Sequence, residues 1–562
     1  MTTGGGHPRV RGNDYRPLAP GERFTPRLTV SVVIPAYGGQ DKLDLVLAAL
    51  ARQTYPAELV EVIVVDNGTE PPLRLPATRP AATRLIVCPV PGRAAARNAG
   101  LAEATGDVIH WLDSDVVLTP GAIEAHMRWH HAAPYLVVTG WIRFTGADVP
   151  AELPDDLEKA FEPAEPHSWI VDLVERTDGL TDNPQRPFSL HVGGATSVSA
   201  RLVEAAGPMD DELILGQDTE MGYRLWQAGA VFVPEPSARA YHLGPTMRMR
   251  DKQPIDRVSH AFVADRIPAY RWLRGHPGRR WKVPYVTVVV DGTTGYDGVR
   301  ATVDALLACT IPDLDVLLLG PWDALDRDRR APLKDPHLDL ALVQGHYRHD
   351  GRVRLAGAED VDPAVPFVLR LPAGWIPGED SLARLLDLAR DEGLGLVNVL
   401  LDESSEGVVA ARLERASAFA RARVVVDPDE DPGEDPGEDP GEDLDDVVDA
   451  VSGVSWVEAE TYDFTAFSGG PVAPALGRRG AYRARVEAQA EAARLAKEAE
   501  RLRAQVAKWR EEAGRWRKST VELRREVGTL RRQLAAAGRA QQSLRTLMST
   551  TMKRALRKRL RD

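Results

Sequence analysis

The sequence predicts an α/β protein in which one doubly wound, Rossmann-like unit is written twice and a C-terminal coiled-coil helix follows. Three observations carry that expectation. Short β-branched apolar runs alternate with helical segments from Leu28; the alternation restarts near Pro284; and past Ala481 an apolar residue returns at every seventh position. At 562 residues the chain exceeds what one hydrophobic core supports, which agrees with two globular units plus extras.

Residues 1–27, opening "MTTGGGHPRVRGNDYRPLAP", have no apolar core of a signal peptide and are expected to form a flexible tail. Then "LTVSVVIPAYGG", "QDKLDLVLAALARQTYP" and "VEVIVVDNG" give strand, helix and strand, with strands apolar on both faces as buried parallel strands are. "ATRLIVCPV", "RAAARNAGLAEAT" and "DVIHWLDSD" continue the alternation. Ligands of such sheets gather beyond the carboxyl ends of the strands, where Asp66 and Asp113 stand. Asp113 and Asp115 follow an apolar strand directly, and two carboxylates there call for a partner such as a divalent cation holding a phosphate.

After a basic connector at 251–283, "VTVVVDGTTGYDGVRATVDALLACTIP" lies under "VSVVIPAYGGQDKLDLVLAALARQTYP" without a gap, Val286 under Val30 and Pro312 under Pro56. Gly320 replaces Asp66, while Pro372 and Gly374 replace Asp113 and Asp115, so residues 284–470 repeat the fold without the chemistry. Within them "DPDEDPGEDPGEDPGEDLDD" (427–446) holds twelve acids and no base, equal to the whole net charge of −12, and reads as a disordered insert. From Ala481 on, 23 Lys or Arg face 9 Asp or Glu. Leu495, Leu502, Trp509, Trp516, Leu523 and Leu530, with Ala499, Val506, Ala513, Thr520, Val527 and Leu534 between them, form a heptad seam across 481–537 that predicts a homo-oligomer through a coiled coil. Beyond an expected break near Gly538, residues 538–562 form a basic amphipathic tail with Leu544, Leu547, Met548 and Met552 at helical spacing, suited to peripheral contact with an anionic membrane. Cys88 and Cys309 cannot build a disulfide framework, and no run of about eighteen apolar residues occurs. The expected location is cytoplasmic, at most peripheral at the inner face of the membrane, with no nucleic-acid partner.

Residues 28–250 resemble a family 2 glycosyltransferase of the GT-A fold. The resemblance rests on an ordered set: "VVIPAY", "VVDNGT", "GRAAARNAGLAEATGD", "WLDSD", "GGATSVSARLVEAAGPMDDEL", "LGQDTEMGYRLWQAG" and "ARAYHLGP". It implies inverting transfer of a sugar from a nucleotide-sugar donor to a hydroxyl of a glycan or other acceptor. It also implies a degenerate GT-A-like character for 284–470. Pro35 and Tyr37 would shape the nucleotide loop, Asp66 bind the base, Arg97 the base or phosphate, Asp113 the ribose or a metal-bound water, and Gly194 let backbone approach the sugar. Asp115 and His242 would ligate Mn²⁺ or Mg²⁺, which neutralises charge on the departing diphosphate. Asp218 would be the general base toward the acceptor. Gly38 and Gln217 depart from the family pattern, which often has Asn and Glu there. The rival expectation is a non-catalytic nucleotide-sugar or glycan-binding scaffold organised by the coiled coil.

Overall fold

The computed structural model describes residues 7–21, 24–146, 148–181, 186–275, 279–325, 330–405, 407–426, 443–469 and 478–559. Residues up to Ala475 form one compact body and Leu476–Asp562 a second unit.

The first lobe carries β1 (Val30–Ala36), β2 (Val60–Asp66), β3 (Thr83–Val87), β4 (Val108–Leu112), β5 (Val116–Leu118), β6 (Leu136–Thr145), β7 (Ala164–Pro166), β8 (Ala195–Ser199) and β9 (Val231–Leu243). The sheet runs β3-β2-β1-β4-β8-β6-β9-β5, with β7 on the side of β6. β1 to β4 are parallel, and β8 turns antiparallel against β4 and β6. The β-branched runs suit this centre because β1, β2 and β4 are covered on both faces. Val30 pairs with both Val60 and Val108, so the three central strands end near one level and their carboxyl ends open into one cleft. Helices α1 (Gln40–Leu50), α2 (Arg93–Ala102), α3 (Ala122–His130) and α4 (Gln217–Gln227) flank the sheet.

Helix α5 (Lys252–Val263) leads out of this lobe. The segment expected as a basic connector at 251–283 is, over its described residues 251–275 and 279–283, a folded seam because its arginines find carboxylates. Arg266 meets Asp210 at 2.5 Å and Glu212 at 2.6 Å, and Arg274 meets Asp313 at 3.1 Å.

The second lobe holds β10 (Val286–Asp291), α6 (Tyr296–Ala308), β11 (Leu314–Leu319), β12 (Val353–Ala356), β13 (Phe367–Arg370), β14 (Trp375–Pro377), β15 (Leu396–Ser404), β16 (Gly407–Arg415), α7 (Ala416–Val425), α8 (Leu444–Val451), β17 (Val454–Glu458) and β18 (Phe464–Ala466). Its sheet runs β12-β11-β10-β13-β16-β15-β17, the first lobe's order, with matching strand senses at every step. Val286 pairs with Leu314 and Phe367, as Val30 does with Val60 and Val108. Counting forward from those pairs, Gly320, Pro372 and Gly374 occupy the positions of Asp66, Asp113 and Asp115. The pairing of β14 with β18 repeats that of β5 with β9, and Trp375 faces Ala466 where Val116 faces His242. Ala466 therefore stands at the histidine position, which sequence matching did not reach.

The flexible N-terminal tail is corrected over the described residues 7–21. Val10 and Leu18 are buried. Asn13 Nδ2 donates to the carbonyls of Leu180 and Phe232, and Gly12 N donates to Val451 O. The segment straps both lobes because a short polar turn residue satisfies buried backbone that no strand covers. Residues 427–442 of the acidic insert lie outside the described residues; the tract's last residues enter α8, where Arg412 clasps Asp445 at 2.7 and 2.8 Å.

In the second unit, α9 (Arg478–Arg559) is one helix with no break at Gly538. A single glycine costs an exposed helix only about 1 kcal/mol, which the flanking Ala, Arg and Gln outweigh. Its heptad residues, Trp509 and Trp516 included, are exposed except for the half-buried Ala499. No helix among the described residues is long and apolar enough to cross a membrane.

Candidate active site

At the carboxyl ends of β1 and β4 lies a cleft of about 670 Å³, lined among others by Pro35, Tyr37, Asp113, Asp115 and His242. Its chemistry begins with α2. At Gly100 an added Cβ would stand 2.4 Å from Val33 Cγ1, so only glycine lets the helix lie this close to β1. One turn earlier, Arg97 is thereby driven beneath the cleft, 1 % exposed. Its guanidinium donates to Asp113 Oδ1 at 2.8 Å, to Asp218 Oδ1 at 2.5 Å and to the Gly193 carbonyl at 2.9 Å. Burial pushes the Asp113 carboxyl above its ordinary value, against the pull of Arg97 and Arg93.

Asp218, near the start of α4, is held by Arg97 behind the cleft lining, and its Oδ2 accepts no hydrogen bond from the described residues. His191 Nδ1 sits 2.8 Å from the Asp218 carbonyl, and burial lowers this imidazole to about 4, so it is neutral at physiological pH. Gly194 abuts the cluster: a Cβ there would lie 3.3 Å from Asp113 Oδ2.

The pairing of Val116 with His242 sets that histidine beside Asp115, Nε2 3.5 Å from Oδ1. Its Nδ1 is 2.7 Å from the Gly244 carbonyl, which fixes the protonated nitrogen there and leaves the Nε2 lone pair facing the carboxylate. A carboxylate oxygen and an imidazole nitrogen so placed fit a divalent cation. Among the described residues no cage of three or more His, Cys, Asp or Glu occurs, so the chain offers two donors. Lys42, from α1, stands on the other side of Asp115 with Nζ 3.4 Å from Oδ2, anchored on Leu243 O at 2.6 Å.

Asp66 behaves differently. It is buried at the end of β2, and its oxygens accept from the N–H groups of Thr69 at 2.9 Å and Leu73 at 3.0 Å. Burial opposes its charge, but these backbone hydrogen bonds win and hold the carboxyl below its ordinary value. It builds the turn that presents Asn67 to the cleft. Of the sequence candidates, then, Pro35, Tyr37, Asp113, Asp115 and His242 meet in one cleft, Arg97, Asp218 and Gly194 form its underside, and Asp66 is engaged by its own turn.

Sequence reasoning missed Lys42, His191 and the cations Arg248 and Arg250 that line the cleft past Pro245. The alternating "RMR" two residues after "YHLGP" was a readable sign of the last two. Nothing in the spacing of α1 links Lys42 to Asp115.

Residues 31–180 match the family described as Glycosyl transferase family 2. The chondroitin synthase of Escherichia coli is 22% identical over 386 residues, 62% of this chain and 53% of that protein. The hyaluronan synthase of Pasteurella multocida is 24% identical over 393 residues, 63% of this chain and 38% of that protein. The chain thus spans about half, or less, of these relatives' own length. Among solved structures, the mannosyltransferase PcManGT from Pyrobaculum calidifontis, in complex with GDP-Man and Mn²⁺, is 18% identical, covers 48% of this chain and 68% of that one, and gives a TM-score of 0.30.

Proposed function

From a chain whose residues 31–180 form a glycosyl transferase family 2 domain, we propose that the cleft moves a sugar from a nucleotide-sugar donor to a hydroxyl of a glycan or other acceptor, with inversion at the anomeric carbon. The observation that carries this reading is the Asp113–Arg97–Asp218 bridge beside the Asp115–His242 pair. Donor cleavage puts negative charge on the leaving diphosphate while the sugar gains oxocarbenium character. Arg93, Arg248 and Arg250 line the cleft where that charge would develop, and Tyr37, 78% exposed, offers a ring on which a base can stack. Asp115 and His242 would hold Mn²⁺ or Mg²⁺, which supplies Lewis-acid neutralisation of the diphosphate. Arg97 fixes one oxygen of Asp218 and leaves the other to accept the acceptor's proton.

The second lobe is proposed to be silent, since Gly320, Pro372, Gly374 and Ala466 stand where the first has its polar groups. The scaffold reading applies to that lobe alone. The exposed heptads of α9 are proposed to pair with a second copy, and its basic end to rest on an anionic membrane.

Incubation with Mn²⁺ and a panel of nucleotide sugars tests the reading: turnover of at least one donor is expected, lost in Asp115→Ala without change in the circular dichroism spectrum. Full turnover by Asp115→Ala would refute the metal assignment, and donor binding without turnover in the native chain would refute the transferase.

A further inference from the structure

A second cavity, of about 230 Å³, opens between the lobes and shares no lining residue with the cleft. Arg186, Arg271, Arg390 and Arg415 line it, and no carboxylate does among the described residues. Two of these charges are answered nearby: Arg271 meets Asp313 at 2.5 Å, and Arg390 meets Asp387 at 2.8 Å and Asp391 at 2.9 Å. The other two have no carboxylate partner among the described residues. Arg186 lies over the Trp272 ring at 4.6 Å. Arg415 donates to the carbonyls of Leu394 and Ala389, and burial lowers it to about 10.

An independent observation points to an occupant. Gln227, the last residue of α4, lines the same cavity and is 4% exposed, yet among the described residues neither its Oε1 nor its Nε2 has a hydrogen-bond partner. A buried primary amide left without partners is costly, so its presence asks for a group that can both donate and accept.

We propose that this inter-lobe cavity binds a small oxyanion-bearing solute, a carboxylate or phosphate compound no larger than a monosaccharide. The guanidinium forks of Arg186 and Arg415 match the planar, two-oxygen face of such an anion. The Gln227 amide reads a hydroxyl beside it, and Trp226 and Tyr285 in the lining cover the carbon skeleton. The cavity volume excludes a nucleotide sugar. Asp218 and Gln227 are nine residues apart on α4, about 14 Å along the axis, so the occupant touches the far end of the helix that bears Asp218. The proposal does not depend on the transferase reading.

Calorimetric titration of the full chain with inorganic phosphate, with glucuronate and with neutral glucose tests it. At least one anion is expected to bind with a salt-sensitive heat, and glucose is not. Arg186→Ala, at an exposed side chain whose loss does not endanger folding, should weaken that anion about tenfold, and Gln227→Leu should weaken glucuronate more than phosphate. Phosphate alone binding identifies a phosphate compound as the ligand, glucuronate alone a sugar acid. Unchanged anion affinity in Arg186→Ala, glucose binding as tightly as glucuronate, or no anion binding at all overturns the site.

Discussion

Replacing Arg97 by alanine strands Asp113 and Asp218, whose oxygens now sit 2.8 and 2.5 Å from its nitrogens. Breaking a buried charge pair on one side typically costs about 3 kcal/mol or more. Urea denaturation of Arg97→Ala should show a loss of that order together with loss of turnover, while Arg97→Lys keeps the charge but cannot reach both carboxylates and the Gly193 carbonyl. A stable, active Arg97→Ala would remove the bridge from the account. Asp66 gives a pH-dependent counterpart. Its folded carboxyl lies below its unfolded value, so its stabilising contribution is present above the unfolded value and is lost as pH falls through the folded one. The stability deficit of Asp66→Asn measured at pH 7 should therefore shrink in strong acid. The Asp-any-Asp pair and the histidine were legible because residue type and position beyond a strand declare them. Lys42 and His191 were not, because their partners come from elements distant in sequence.

At the scale of elements, α2 is placed by Gly100. Alanine there must push the helix off β1, where Val33 Cγ1 lies 2.4 Å from the added carbon. Overpacking of this kind costs about 1–3 kcal/mol, and Arg97 would move with the helix. Lower turnover with unchanged circular dichroism is expected, and a Gly100→Ala enzyme with native turnover would show that α2 has room. The contact of β4, α3 and β8 makes a second prediction. His110 of β4 is fully buried with neither ring nitrogen partnered among the described residues, and Ser197 Oγ of β8 lies 2.8 Å from both His126 Nδ1 and His130 Nε2 of α3. Burial drives His110 and His130 down to about 3 and His126 well below its ordinary value. All three stay neutral in the fold but protonate in the unfolded chain, so stability is full above the unfolded value near 6.5 and falls as pH drops toward 3. Three such protons give a slope approaching about 4 kcal/mol per pH unit below pH 6. Denaturation midpoints between pH 7 and 5 measure it, and His110→Phe should remove about a third. The β-α alternation and the repeat were legible from apolar periodicity. The reversal of β8 was not, since antiparallel insertion leaves no mark on strands already apolar on both faces.

For the whole molecule, the exposed heptads of α9 predict an assembly: light scattering of the full chain should give at least a dimer, whereas a chain ending at residue 475 should be monomeric and keep turnover. A monomeric full chain would defeat this. The tripartite order of the chain was readable in the sequence, but the docking of residues 7–18 was not, because "HPRVRGNDYRPL" has neither period nor apolar run and is held by isolated side chains, Val10, Asn13, Tyr15 and Leu18, and by the Gly12 backbone. That strap has a consequence for biosynthesis. Gly12 O accepts from Arg421, 409 residues downstream, and Gly12 N donates to Val451 O. The strap precedes Arg421 by 409 residues, so its second-lobe contacts cannot form until α7 and α8 have left the ribosome. A chain cut short before α7 leaves the strap without those contacts and open to proteases, whereas one that reaches Val451 holds it against both lobes.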